Sequence, residues 1–229
     1  MSLLQYSMFQ EVFFPTGEDK TDGKSGGGEL QLQKIVRYSP ALLTDIRSSV
    51  LVFFDLETTG LDDIQDEIVE IGAQKYIGGK LVDEWSSLVC PKQQISPQAT
   101  KISGITQEML DGQPAIESVL PHFLQWMQGG ILVAHNATFD IGFVREAALR
   151  MGIGIEWPVL CTLKMARSLL PSLERKNLDT LAQYYGVQFE ARHRSIGDVK
   201  VTAEVFHRLL EKEAMDIDTW QDFQEYRVV

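Results

Sequence analysis

Cysteine is scarce in this chain. Only Cys90 and Cys161 occur in 229 residues, which excludes a disulfide framework and a cysteine-based zinc site. A reducing cytoplasm is the expected compartment. No stretch approaches the ~18 consecutive apolar residues of a bilayer-spanning helix, so no membrane partner is expected. The opening MSLLQYSMFQEVFF lacks the basic flank and small-residue cleavage site of a secretory signal. Positive charge is also short: 21 Lys and Arg stand against 32 Asp and Glu, a formal net charge of −11. Proteins that coat duplex DNA draw most of their affinity from basic contacts to phosphate, so that class is excluded. A nucleic-acid enzyme of this composition would grip a short stretch locally, with metal ions or a partner supplying positive charge.

The residues that are present suit a globular chain. The hydrophobic share of 44% is too high for intrinsic disorder. The length suits one large domain with appendages or two small ones. Residues 1–48 read as an extension with an apolar start, a Gly/Asp/Lys-rich linker over 15–28 and, around the Ser39-Pro40 break, two short helices. From Ser49 the pattern becomes that of a compact domain running to about Lys212. An acidic tail, 213–229, carries Trp220, Phe223 and Tyr226 and reads as a last helix packed back on the body. Within 49–212, VLVFFDLETTG predicts a buried strand, and EIVEIGAQKYIGGKLVDEWSSLVC two strands joined at Gly78-Gly79. Strands then alternate with helices. Asn177 to Tyr185 forms one helix closed by Gly186, and Asp198 to Lys212 the last. The expectation is an α/β domain with a mixed sheet.

Three acidic signals stand out. Asp55 and Glu57 end an apolar run, and side chains two apart on a strand share a face. Asp140 follows the strand ILVAHN in the first turn of a helix, where the helix dipole favours an acid in any case. Asp198 opens the final helix, five residues after His193, and N-capping alone would explain it. Each has an ordinary explanation singly. Together they occupy the strand ends and helix starts that converge on one crevice in an α/β sheet. Four carboxylates there, ~5 Å apart at an effective dielectric of about 20, would repel by roughly 3 kcal/mol per pair. Hard divalent cations with oxygen ligands relieve such repulsion, so the cluster implies metal.

Asp55-x-Glu57, Asp140 and His193-x4-Asp198, with the flanking strings FFDLETTG, EIVEIGA, ISGITQEML, AHNATFDIGF and HRSIGDVKVTAEVF, resemble the DEDDh family of 3′→5′ exonucleases. The resemblance is strongest to the proofreading branch typified by the epsilon subunit of bacterial DNA polymerase III, and it covers about residues 49–212. It implies a ribonuclease H-like fold, with a central five-stranded mixed β-sheet flanked by α-helices. It further implies that Asp55, Glu57, Asp140 and Asp198 hold two Mg²⁺ or Mn²⁺ ions, with His193 as general base toward the attacking water. Thr58 and Thr59 then resemble the site of a terminal 3′-hydroxyl, and Ile105 the apolar wedge on the last base. Asn136 and Phe139 are further candidate substrate contacts, Phe139 with a competing core reading. His135 reads as a supporting residue, and His122 and His207 as ordinary helix-surface residues. Arg192 and Arg194 are left between phosphate contact and acid pairing.

The implied activity is release of nucleoside 5′-monophosphates from a single-stranded or frayed DNA 3′ end, in proofreading or replication beside a DNA polymerase. Two other readings remain: an RNA-directed exoribonuclease, and a silent module that binds a polymerase or clamp. Gln5-Tyr6-Ser7-Met8-Phe9 resembles the bacterial sliding-clamp pentapeptide, and a terminus simply packed on the domain is the alternative.

Overall fold

The computed structural model describes residues 34–190 and 193–228, together with the backbone of Val12–Phe13. The Gln5–Phe9 motif, the Gly-rich segment and Arg192 lie outside the described residues.

The central element is β3, Val50–Thr58. Its residues 51–54 are buried on both faces, because the strand lies inside a sheet covered on both sides. β3 pairs antiparallel with β4, Ile68–Ile77, which pairs antiparallel with β5, Lys80–Leu88. Gly78 and Gly79 make that second hairpin with φ of 57° and 73°, values that an L side chain would resist. On its other edge β3 runs parallel to β6, Ile131–Ala134, and β6 runs parallel to β8, Val159–Cys161. These five strands are the expected mixed sheet. A sixth, β9, Arg227–Val228, comes from the tail and lies antiparallel on β8.

The alternation along β3 divides the core in two. Val52, Phe54 and Leu56 pack with α3 (Ile116–Trp126) and α4 (Ala137–Arg150). Leu51 and Phe53 pack with α5 (Thr162–Leu169), α6 (Leu178–Tyr185) and α7 (Ser195–Lys212). α6 is capped as its sequence requires: the Asn177 side chain accepts from the Thr180 amide at 2.9 Å, and Gly186 closes it at φ 71°. Two short helices, α1 (Pro97–Ser103) and α2 (Gln107–Leu110), follow β5.

Two terminal expectations are corrected. In place of two short helices, the described part of 29–48 holds a strand, β2 (Lys34–Arg37), followed by turns. β2 lies parallel to β7 (Ile153–Glu156), and β1 (Val12–Phe13) lies antiparallel to β2, making a second small sheet. The Lys34-Ile35-Val36-Arg37 segment finds its backbone partners across the chain, which its local spacing could not reveal. The tail is no α-helix either. It runs through turns and the 3₁₀ segment Gln224–Tyr226 into β9, covering the open edge of β8. Its three aromatics do pack on the body: Trp220, Phe223 and Tyr226 are all buried with α7.

Candidate active site

Asp55 and Glu57 continue the odd-numbered face of β3 beyond Leu51 and Phe53, the face on which α7 packs. Asp198 is buried in the first turn of α7. Strand and helix thus deliver three carboxylates to one point: Asp55, Glu57 and Asp198 each offer an oxygen, all within 4.8 Å of one another. At an effective dielectric of about 20, each such pair repels by roughly 3 kcal/mol.

Asp140 is not among the three carboxylates that meet and approaches β3 from the other layer. Its helix α4 packs on the even-numbered face of β3, and its Oδ1 accepts the Leu56 amide at 3.2 Å, between Asp55 and Glu57. Burial pushes the Asp140 carboxyl up to about 8, outweighing its backbone hydrogen bonds, and the Glu57 charge adds to the rise. The all-oxygen donor set of Asp55, Glu57 and Asp198 suits a hard divalent cation.

The approach of α7 to the sheet depends on Gly72 of β4, which lies opposite Asp55. A Cβ there would stand 2.5 Å from Ser195 Oγ and 2.8 Å from the Ile196 nitrogen, so any side chain would lift the helix start that carries Asp198. Glu70, two residues earlier, fastens the same turn. Its buried carboxylate accepts Arg194 Nη2 at 2.6 Å and the Ser195 amide at 2.9 Å. Burial alone would raise the Glu70 carboxyl, but the Arg194 and Ser195 bonds outweigh it and hold it below the usual range. Of the two readings open for Arg194, acid pairing is the one realised. His193, directly before it, has φ 60°. A non-glycine residue in that left-handed region carries a strain of about 1–2 kcal/mol. His193 is half-buried and precedes α7 by two residues.

A cleft of about 770 Å³ opens on Asp55 and Asp198 and is lined also by His135 and Asn136. His135 Nδ1 lies 3.0 Å from Thr162 Oγ1. Asn136 is exposed at the start of α4, with φ 63°. A second cleft of about 940 Å³ opens on Glu57, Thr58, Leu61, Ile102 and Phe139. Phe139 packs on the core, its ring 4.9 Å from that of Phe143, and it also lines this cleft.

Three expectations change here. Thr59 is buried, and its hydroxyl is saturated: it donates to Asp66 Oδ1 and accepts from the Glu67 amide and Gln93 Nε2. It pins the loop after β3 and has nothing left for a ligand, whereas Thr58 lines the cleft. Ile105 is fully buried with Val69, Ile95 and Leu110. Ile102, three residues earlier on α1, is 50% exposed and faces the cleft instead. Both isoleucines lie in the same short motif, and only the seating of α1 decides which one looks outward. His207 does not sit on an ordinary surface: it lies against the Phe53, Tyr76 and Phe206 rings, and burial lowers its basicity. His122 is exposed as expected. Among the described residues, no helix is long and apolar enough to cross a membrane.

Comparison with known proteins accords with this geometry. Residues 52–206 match the family described as Exonuclease. A PolC-type DNA polymerase III of Caldanaerobacter subterraneus subsp. tengcongensis is 46% identical over 161 residues, which make up 70% of this chain but 12% of that protein. This chain therefore spans about an eighth of the length of the PolC-type relatives it matches. Among solved structures, Exonuclease X in complex with 5′ overhanging duplex DNA superposes with a TM-score of 0.61 at 31% identity, covering 77% of this chain and 97% of that one. The nuclease domain of 3′hExo, a DEDDh family member, shares the fold, with a TM-score of 0.64 at 17% identity over 75% of this chain and 96% of its own. With its acids gathered on a ribonuclease H-like sheet and its sequence matched over most of the domain, the chain belongs to the exonuclease family, in the DEDDh, DnaQ-like branch of 3′→5′ exonucleases.

Proposed function

We propose that residues 49–212 act as a metal-dependent 3′→5′ DNA exonuclease of the proofreading type, releasing nucleoside 5′-monophosphates from a single-stranded or frayed 3′ end. The observation that carries this reading is the meeting of Asp55, Glu57 and Asp198 within 4.8 Å. Asp55, Glu57, Asp140 and Asp198 would hold two Mg²⁺ or Mn²⁺ ions. When bound, such a pair stabilises the charge on the attacking and leaving oxygens of an in-line displacement.

The remaining work falls to this chain's own groups. His193 takes the proton of the attacking water as general base, the role that imidazole fills most often. Thr58 Oγ1 donates to the Gly60 carbonyl, which leaves its lone pairs to accept from a 3′-hydroxyl. Ile102 and Phe139, in place of Ile105, offer the apolar surface on which a terminal base packs, a contact tolerant of sequence. Asn136 borders the acid cleft as a polar contact to substrate.

The likeness to PolC-type polymerases supports work beside a DNA polymerase in replication, in the cytoplasm. The Gln5–Phe9 motif would tether the enzyme to a sliding clamp, a role ended by a pull-down that Phe9→Ala leaves unchanged. The decisive experiment incubates end-labelled single-stranded DNA and matched RNA with Mg²⁺, Mn²⁺ or chelator and reads product size. Metal-dependent mononucleotide release from the DNA 3′ end is expected, and intact DNA in every arm would refute the proposal. His193→Ala should retain metal binding by calorimetry while turnover falls by a factor on the order of 10²–10⁴, the usual contribution of a general base. An unchanged rate removes His193 from the chemistry.

A further inference from the structure

The cleft above Asp55 and Asp198 has a second chemistry on its rim. Arg167, in the last turn of α5, and Arg175 and Lys176, in the connection to α6, line the same cleft as the two acids. In a chain of net charge −11 this concentration of cations runs against the overall balance. Arg167 and Arg175 are exposed, and neither forms an ion pair or hydrogen bond among the described residues. Lys176 gives one ammonium hydrogen to the Leu173 carbonyl, leaving two. Glu174 shares the rim, and the four side chains together still carry positive charge.

We infer that Arg167, Arg175 and Lys176 form a phosphate-binding wall that holds the backbone of the strand leading to the 3′ end. The inference rests on the exonuclease reading and adds the path of the substrate. A terminal nucleotide set against the acids brings its own phosphates into a field of like charge, and the chain as a whole repels a polyanion. Unpaired guanidinium groups at the cleft mouth offset that repulsion at the place where the strand must pass. They also contact only phosphate, so the grip is local and indifferent to sequence. Arginine suits this task because its planar fork of donors matches phosphate oxygens.

The test is equilibrium binding of a fluorescently labelled short oligothymidylate, followed by anisotropy with chelator present across a salt series. Matched oligouridylate is titrated alongside, since the two backbones carry the same phosphates. For Arg167→Glu/Arg175→Glu, Kd is expected to rise at least about tenfold for both strands. The slope of log K against log salt should fall by about 1.4, since each single-strand phosphate contact contributes about 0.7. In a turnover arm, kcat/KM on the oligonucleotide is compared with that on the p-nitrophenyl ester of thymidine 5′-monophosphate, which has no upstream backbone. The oligonucleotide-to-ester ratio should fall by a similar factor. If the charge reversals prevent folding, Arg167→Gln/Arg175→Gln is read in the same way. Native affinity and native salt slope in the variant overturn the wall. A native chain that binds DNA with the full slope but releases no nucleotide overturns the exonuclease reading and leaves the wall standing.

Discussion

Replacing Glu70 by Gln isolates the clamp that fixes the start of α7. The substitution keeps shape and one acceptor but removes the charge that binds Arg194 Nη2 at 2.6 Å and the Ser195 amide at 2.9 Å. Glu70 is buried, with 7% of its side chain exposed, while 42% of the Arg194 side chain is exposed. Breaking a fully buried pair costs ~3–5 kcal/mol. Here the freed guanidinium recovers much of its hydration, so a loss of about 2 kcal/mol is expected, in the range of hydrogen bonds to charged groups. In a chain of this size that lowers Tm by ~4–8 °C. The loss should depend on pH with a definite sign. The Glu70 carboxyl is held below its ordinary value in the folded protein. Its contribution is therefore complete above the unfolded glutamate value near ~4.3 and disappears as pH falls through the lower folded value. Wild type and Glu70→Gln should differ fully at neutral pH and converge in acid. Because the clamp holds Arg194 and Ser195, beside His193 and ahead of Asp198, turnover at neutral pH should drop about tenfold to a hundredfold, the cost of a displacement near 1 Å. The assay pairs thermal melts between about pH 3 and 8 with nucleotide release at neutral pH. A variant that melts with the wild type throughout, or shows a gap independent of pH, refutes the reasoning.

Asp140, raised to about 8 by burial, holds a proton in the metal-free folded state that it releases in the unfolded chain. Between about pH 4 and 8 the chelated protein should therefore lose stability as pH rises, and cation binding at pH 7 should release a proton. Melts in chelator and calorimetry in buffers of different ionisation enthalpy check both; Asp140→Asn should flatten the pH slope and weaken metal binding, and a native slope in that variant would overturn the assignment. Ile102→Ala should lower kcat/KM on oligonucleotides with little change in Tm, whereas Ile105→Ala should cost ~2–5 kcal/mol of stability as a core truncation. Melting and steady-state kinetics of the two variants separate these roles, and the opposite pattern would return the wedge to Ile105.

Much of the site is local and was therefore legible before any coordinates. The period of two along VLVFFDLETT places Asp55 and Glu57 on one face because backbone geometry alone sets that alternation. Asn177 and Gly186 announce the ends of α6 because a cap is a contact between near neighbours. Where a residue's role depends on a partner far along the chain, the pattern was silent. Lys34–Arg37 pairs with a strand more than a hundred residues away, so its spacing misled toward helix. Arg194 meets Glu70 across 124 positions, and no local rule separates that pairing from a phosphate contact. Thr59 carries a hydroxyl that reads as available until Asp66, Glu67 and Gln93 are brought to it.

By itself, the sequence determined which acids are present, on which strand face and in which helix turn they stand, and hence that a metal-dependent chemistry was to be expected. The tertiary structure alone decided that Asp55, Glu57 and Asp198 meet while Asp140 bonds β3 from the opposite layer, that Ile102 rather than Ile105 faces the second cleft, and that three basic side chains share the rim of the first. The division has one cause. Periodicity and capping are written in neighbouring backbone geometry, whereas convergence depends on how layers pack across the sheet, and packing joins residues that the chain keeps far apart.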